Sequence, residues 1–208
     1  MNSVAAAGLL AGFLMAPGQV GNSPPVPLPV PSAERIESGK ALSASGEAIT
    51  YRIRLLPLAS FPNLPAPVAA ELSHRQCVIP QSFEAKQPEN VIHGAFHAAG
   101  SSDWAALCSS AGTTTLYVFF DGQVGSPIAL RNQPDSAWLG SEPGSTVFGS
   151  SWGIAVRSSA ELRASPQLRR AATIDHDAID DARLERSEVI HYYKAGKWLD
   201  LNGSDGSD

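Results

Sequence analysis

The sequence predicts a β-rich α+β fold, in which an antiparallel meander sheet is accompanied by one or two short helices. Residues 90–130 are rich in β-branched and aromatic residues and are interrupted by glycine-containing turns, as in a meander. Residues 188–201 have the pattern of a further hairpin. Leu64, Val68 and Leu72, spaced by four, make one apolar face of a helix.

The first predicted elements precede Cys77. Residues 49–55 alternate between apolar and polar side chains, as a half-buried strand does, and Pro57 ends this strand. The apolar face described above predicts a short helix that begins near Pro65 and ends before Cys77. Proline fits there because the first helical turn needs no backbone N–H donor.

A central meander and several shorter elements follow. The predicted meander strands are residues 90–96, 104–108, 113–120 and 127–130. Shorter apolar segments lie at residues 137–139, 146–148 and 152–156. Residues 159–170 have mixed helical and loop character, and the acidic residues 174–185 are predicted to be turn-like or helical. The last hairpin turns across residues 194–196.

An apolar stretch without charge, residues 4–15, lies near the start of the sequence. It matches the hydrophobic region of a signal peptide and is shorter than the roughly 20 residues that span a bilayer. We therefore interpret residues 1–18 as a signal peptide, which predicts export to the periplasm or the cell surface and no transmembrane span in the mature protein. A buried N-terminal helix is the alternative.

Proline composition sets the next boundary. Residues 19–48 include closely spaced prolines, which favour an extended conformation and predict a disordered linker. Residues 49–202 then form a single β-rich globular domain. The polar residues 203–208 are predicted to be a disordered tail.

The charge distribution argues against nucleic acid as a partner. The chain has a formal net charge of −5 at pH 7, and its lysines and arginines are scattered along the sequence. A surface that follows phosphates needs clustered positive charge. The expected partner is a protein or a component of the cell envelope, and the sequence does not identify it.

The chain has two cysteines, Cys77 and Cys108. An even number of cysteines in an exported chain favours a disulfide, which would stabilise the fold by about 3 to 4 kcal/mol through loop closure. Two separate buried thiols and a catalytic Cys–His pair are the alternatives.

The densest acidic cluster contains Asp175, Asp177, Asp180 and Asp181. Its oxygen ligands are spaced like the opening of a calcium loop, so calcium is the one cofactor that the sequence suggests. The cluster is not an EF-hand, because the twelfth position from Asp175 is Arg186 rather than a bidentate glutamate. The alternative is a helix start in which Asp177 is the N-cap.

Histidines offer two further kinds of site. His93 and His97 have the spacing of a helical zinc pair, but Gly94 and the β-type flanking residues predict a strand, which separates the two side chains by about 13 Å. His176 or His191 could act as a general base beside the aspartates. The sequence supplies no recognisable nucleophile motif for either histidine.

Several segments resemble a group of exported bacterial proteins of unknown function. They are residues 77–81 (CVIPQ), 94–96 (GAF), 102–109 (SDWAALCS) and 175–182 (DHDAIDDA), followed by the last hairpin. The resemblance covers most of residues 50–201, and within that group the two cysteines look like a pair.

A second similarity is to FG-GAP or VCBS repeats of integrin-like propellers. It rests on Gly94, Phe96, Gly100 and Asp103, and residues 175–181 resemble a second unit that keeps its acids. Where the first unit would place calcium carboxylates, the chain has His97 followed by two alanines. Two units cannot close a propeller, so a small β-rich α+β domain is expected instead.

These observations support two hypotheses of different classes. The first is a non-catalytic exported binding or structural domain. The alternative is a metal-assisted hydrolase that uses the acidic cluster at residues 175–181, with Asp175, Asp177, Asp180 and His176 as its functional groups. This alternative requires those side chains to converge in a concave pocket.

Overall fold

The computed structural model describes residues 32–201, apart from residues 44–45, 142–143, 166–167, 169–172 and 185. The predicted signal peptide, residues 19–31 of the predicted linker and the predicted tail lie outside the described residues. No helix in the described part of the chain is long and apolar enough to cross a membrane.

The described residues form thirteen strands and two α-helices. The strands are β1 (Arg35–Leu42), β2 (Ala48–Leu56), β3 (Ile79–Gln81), β4 (Val91–Gly94), β5 (Asp103–Ser110), β6 (Thr113–Phe119), β7 (Ile128–Pro134), β8 (Leu139–Gly140), β9 (Val147–Ser150), β10 (Trp152–Arg157), β11 (Ala178–Arg183), β12 (Ser187–Lys194) and β13 (Lys197–Asp200). The helices are α1 (Ala66–His74) and α2 (Ser159–Ala164).

The strands build three sheets. The first, which we call the N-terminal sheet, has the order β1-β2-β9-β8, with β3 also paired to β2. The first meander contains β4-β5-β6-β7 and the second contains β10-β11-β12-β13, each in chain order. All these pairings are antiparallel except β2 with β9. The predicted β-rich α+β fold with meander sheets and short helices is therefore confirmed.

The main core lies between the two meanders. Leu107 and Leu116 of the first meander and Ile179 of the second belong to one buried cluster. The rings of Trp138 and Trp152 stack in this cluster, with their centroids 4.0 Å apart. Helix α1 packs against the first meander through a separate apolar cluster, and α2 belongs to the apolar cluster of the second meander.

Two sequence predictions are corrected by these elements. Residues 35–42 fall in the predicted linker, but they form β1, because all eight of them pair with β2. Within the predicted turn or helix at residues 174–185, residues 178–183 form strand β11. Its buried Ala178 and Ile179 lie between two neighbouring strands, so sheet pairing outweighs the acidic composition.

The structure joins Cys77 and Cys108 in a disulfide, with Cα atoms 4.9 Å apart. Cys77 follows α1, and Cys108 lies on β5. Both cysteines are buried in the cluster that joins α1 to the first meander. The covalent bond therefore connects the helix to the sheet on which it packs.

Asn90 contacts all three sheets. Its side-chain amide donates to the carbonyl oxygens of Pro80 on β3 (2.7 Å) and of Trp152 on β10 (3.1 Å). Its side-chain oxygen accepts from the backbone N–H of Ile154 (2.9 Å), and its own carbonyl accepts from Leu107 on β5. Asn90 has a positive φ of 71°, a conformation that asparagine tolerates better than most residues.

Replacing Asn90 by alanine should lower the free energy of unfolding by about 3 to 4 kcal/mol, because two carbonyl groups and one N–H group lose their buried partner. Asn90→Gly loses the same amide, but glycine adopts the positive φ of this position without strain. The free energy of unfolding of Asn90→Gly should therefore be about 1 kcal/mol higher than that of Asn90→Ala. Urea unfolding measures both values. An alanine variant within about 1 kcal/mol of the wild type would contradict this role for the amide.

Removing the disulfide by the double change Cys77→Ala and Cys108→Ala should cost about 3 to 4 kcal/mol, because the unfolded chain regains the freedom of a closed loop. Urea unfolding of the oxidised protein and of the double variant gives the difference. Thiol labelling of the unfolded wild type provides the control. Two reactive thiols in protein recovered from an oxidising compartment would contradict the pairing.

Candidate functional site

The acidic segment does not form a shared ligand site among the described residues. Asp180 and Asp181 are neighbours on β11, so their side chains point to opposite faces of the second meander. Asp180 pairs with Arg157 on the neighbouring strand. The carboxylate of Asp181 lies in the interior and accepts from Trp152 Nε1 (2.6 Å).

The two earlier aspartates are also engaged locally. Asp177 accepts from the backbone N–H groups of Ser159 (3.0 Å) and Ala95 (3.2 Å), which connects the start of α2 with the loop after β4. Asp177 is therefore not the helix N-cap that the sequence suggested. Hydrogen bonds from His176 and Tyr192 lower the pKa of the Asp175 carboxyl group. Each predicted metal ligand thus has its own partners.

Neither histidine proposed as a general base has a free ring nitrogen. His176 lies 2.6 Å from Asp175 Oδ1 through Nδ1 and 2.8 Å from the carbonyl oxygen of Tyr193 through Nε2. His191 lies between Asp200 (2.7 Å) and Asp181 (3.0 Å). Both rings are almost completely buried. They bind neighbouring parts of the fold and do not face a cleft.

His93 and His97, the predicted strand pair, have separate environments. His93 packs on the Trp104 ring, with centroids 4.7 Å apart. His97 instead joins Asp103 and Asp121 in a group whose potential metal-ligand atoms, one from each side chain, lie within 4.8 Å of one another. Within the described residues, no other set of three such side chains meets this spacing.

Both oxygens of the Asp103 carboxylate in this group already accept hydrogen bonds from neighbouring residues. Its oxygens accept from the backbone N–H groups of Phe96 (2.7 Å), His97 (2.9 Å) and Asp121 (2.8 Å), and from the Ser101 hydroxyl (2.6 Å). His97 Nδ1 adds a contact at 2.8 Å. A metal ion would have to displace these donors. The group therefore clamps the loop after β4 against the turn after β6.

Hydrogen bonding controls the protonation of Asp103. Burial alone would raise the pKa of this carboxyl group. The donors from Ser101, Asp121 and His97 outweigh burial, so the pKa of Asp103 is lowered. The fold thus stabilises the charged form of the Asp103 carboxyl group.

A groove lies between the N-terminal sheet and the β11–β12 turn, with a volume of about 880 Å³. We call it the Arg183 groove. Ile49, Leu139 and Phe148 provide apolar lining, and Thr50, Ser136 and Thr146 provide hydroxyl groups. Ile49 and Leu139 are otherwise buried core residues, so the apolar lining continues into the packed interior.

Among the described residues, three charged side chains line the groove: Arg183, Arg186 and Glu47. Among the described residues, neither arginine has a carboxylate within 4.0 Å. Arg183 Nε is buried without a hydrogen-bond partner there. Burial, together with the positive charge of Arg186, lowers the pKa of Arg183.

A second groove of about 340 Å³ adjoins the first, since Ala137 and Arg183 line both. Its other cation, Arg131, lies 3.2 Å from the Asp181 carboxylate and over the Trp138 ring. Asp181 thus neutralises Arg131. Arg183 is the charged residue that lines both grooves, and its Nε donor is unused.

Sequence reasoning did not identify Arg183 or Arg186 as binding residues, because the groove is assembled from four separated chain segments.

Comparisons with protein-family models, curated proteins and solved structures find no match. The Arg183 groove is therefore the candidate site on the basis of this chain's own geometry.

The stability contributed by Asp103 should depend on pH. Folding lowers its pKa below the unfolded value of about 3.9, so the contribution is complete above that value and is lost as the pH falls through the folded pKa. Asp103→Asn should lower the free energy of unfolding at pH 7 by about 2 to 4 kcal/mol and should weaken its dependence on acid.

Urea unfolding of both proteins between pH 7 and pH 2.5 measures this difference. Glu84→Gln is the matched control, because Glu84 is an exposed carboxylate outside the clamp. Parallel pH curves for the wild type and Asp103→Asn would show that Asp103 does not supply the acid dependence.

Proposed function

We propose that this chain is a non-catalytic binding domain of an exported protein, and that its ligand occupies the Arg183 groove. One observation carries the proposal: an open groove of about 880 Å³ with a mixed apolar and hydroxyl lining. This volume lies within the range of about 300 to 1,000 Å³ that is common for small-molecule sites.

The lining favours binding over catalysis. Its described residues include serines and threonines, but they include no histidine, cysteine or aspartate, and Glu47 is the one carboxylate. A hydroxyl nucleophile needs an adjacent base to be activated. A metal-assisted reaction needs converging ligands, and the carboxylates of the acidic segment are engaged elsewhere in the fold.

Two features support export. The apolar residues 4–15 match the hydrophobic region of a signal peptide. The disulfide between Cys77 and Cys108 is typical of proteins outside the reducing cytosol. Together they favour the periplasm or the cell surface as the place where the domain meets its ligand.

Filling the groove should abolish binding. Thr50 is exposed on β2 and lines the groove, so Thr50→Trp should occupy the space of the ligand. Ser38→Trp is the matched control, because Ser38 is exposed on neighbouring β1 and does not line the groove. The measurement is two-dimensional amide NMR of the full-length protein. The protein is titrated with a library of small fragments, both aliphatic and aromatic, that includes neutral and acidic compounds.

In the wild type and in Ser38→Trp, a subset of fragments should shift the amide signals of Ile49, Leu139 and Phe148. Those shifts should be absent in Thr50→Trp. The proposal is wrong if no fragment shifts these signals, or if the shifts persist when tryptophan fills the groove.

A further inference from the structure

We propose that the ligand of the Arg183 groove is a monoanionic carboxylate with an apolar body, whose carboxylate is bound by Arg183 and Arg186. This inference rests on the proposed binding function and names the chemical class of the ligand. It is carried by the charged residues of the groove and by their position beside its apolar lining.

The groove has the opposite charge to the protein as a whole. The chain carries a formal net charge of −5, whereas the groove is lined by two arginines and one glutamate. A surface that is positive within an acidic protein attracts anions locally and excludes cations. Among the described lining residues, Glu47 leaves one net positive charge, which matches a single carboxylate better than a doubly charged phosphate.

The arginines of the groove, like Arg52 and Arg163, differ from the ion-paired arginines of the described chain. Arg54, Arg75 and Arg157 each bind a carboxylate, at Glu34, Glu71 and Asp180 respectively. Arg183 and Arg186 have no such partner among the described residues.

Arg183 is the more telling of the two groove arginines. Its Nε is buried and unpaired, and its Nη2 has one long contact, 3.4 Å from the carbonyl oxygen of Leu139. Buried polar groups in proteins are almost always paired, so the unpaired Nε of a guanidinium group beside a groove points to an absent acceptor. A carboxylate is the acceptor that fits a guanidinium fork in two parallel hydrogen bonds.

The apolar part of the ligand follows from the neighbours of Arg183. Leu139, whose carbonyl oxygen accepts from the guanidinium group, is also an apolar lining residue of the groove, as are Ile49 and Phe148. A ligand whose carboxylate lies between the two arginines therefore extends over apolar surface. Water leaves that surface on binding, which adds hydrophobic free energy to the ion pair.

Isothermal titration of the full-length protein with octanoate tests this inference, and 1-octanol serves as the neutral probe with the same chain length. We expect octanoate to bind at least tenfold more tightly than 1-octanol. Arg183→Gln and Arg186→Gln should each weaken octanoate binding at least tenfold and should leave 1-octanol binding within twofold of the wild type. Arg183→Lys should give an intermediate affinity, since lysine keeps the charge and loses the fork.

Arg52→Gln is the matched control, because Arg52 is an exposed arginine of β2 that does not line the groove. It removes the same charge and should leave octanoate binding within twofold. The melting temperature of Arg183→Gln should fall by no more than about 2 °C, because within the described fold Arg183 Nε has no partner and Nη2 loses only one long contact, with the carbonyl oxygen of Leu139. A lower melting temperature accompanied by weaker binding of both probes would assign Arg183 a structural role and overturn the inference.

Two further outcomes separate this inference from the function on which it rests. Equal binding of octanoate and 1-octanol that Thr50→Trp abolishes would leave the binding domain intact and overturn the carboxylate. Binding of neither probe, together with no fragment shifts in the groove, would overturn both. Inorganic phosphate that displaces octanoate with higher affinity would replace the carboxylate by a phosphate ligand.

Discussion

The hydrogen bonds of Asn90, from its side-chain amide and its backbone carbonyl, are the constraint on which the arrangement of the three sheets depends. A single residue hydrogen-bonds to β3 of the N-terminal sheet, β5 of the first meander and β10 of the second. These partners are backbone groups, so the hydrogen bonds fix the positions of the strands independently of the identity of the strands' side chains.

A buried carboxylate makes the second connection between the meanders. Asp181 on β11 accepts from Trp152 and lies beside His191 and Arg131, so donors from both meanders converge on one charge. A buried charge is tolerated only when it is paired in this way. Because Arg131 is used to balance Asp181, the Nε donor of the neighbouring Arg183 is left unused.

Local patterns allowed much of the fold to be predicted. Helix α1, strand β6 and the last hairpin follow from apolar periodicity, β-branched composition and turn residues, which act within a few positions. The acidic strand β11 could not be predicted, because the partners of Asp180 and Asp181 are Arg157 and Trp152, more than twenty residues earlier. The groove is formed by segments that lie still farther apart in the sequence. Strand β1 was not predicted, because it follows closely spaced prolines that indicated a linker.

The parallel pairing of β2 with β9 has a consequence for how the chain is assembled. Thr50 pairs with Val147, so about one hundred residues separate the two strands in sequence. A chain that emerges N-terminus first therefore presents the β1–β2 hairpin long before the strand that completes its sheet is available. During that interval the inner face of the hairpin, including Ile49 and Ile53, is uncovered and is open to incorrect pairing.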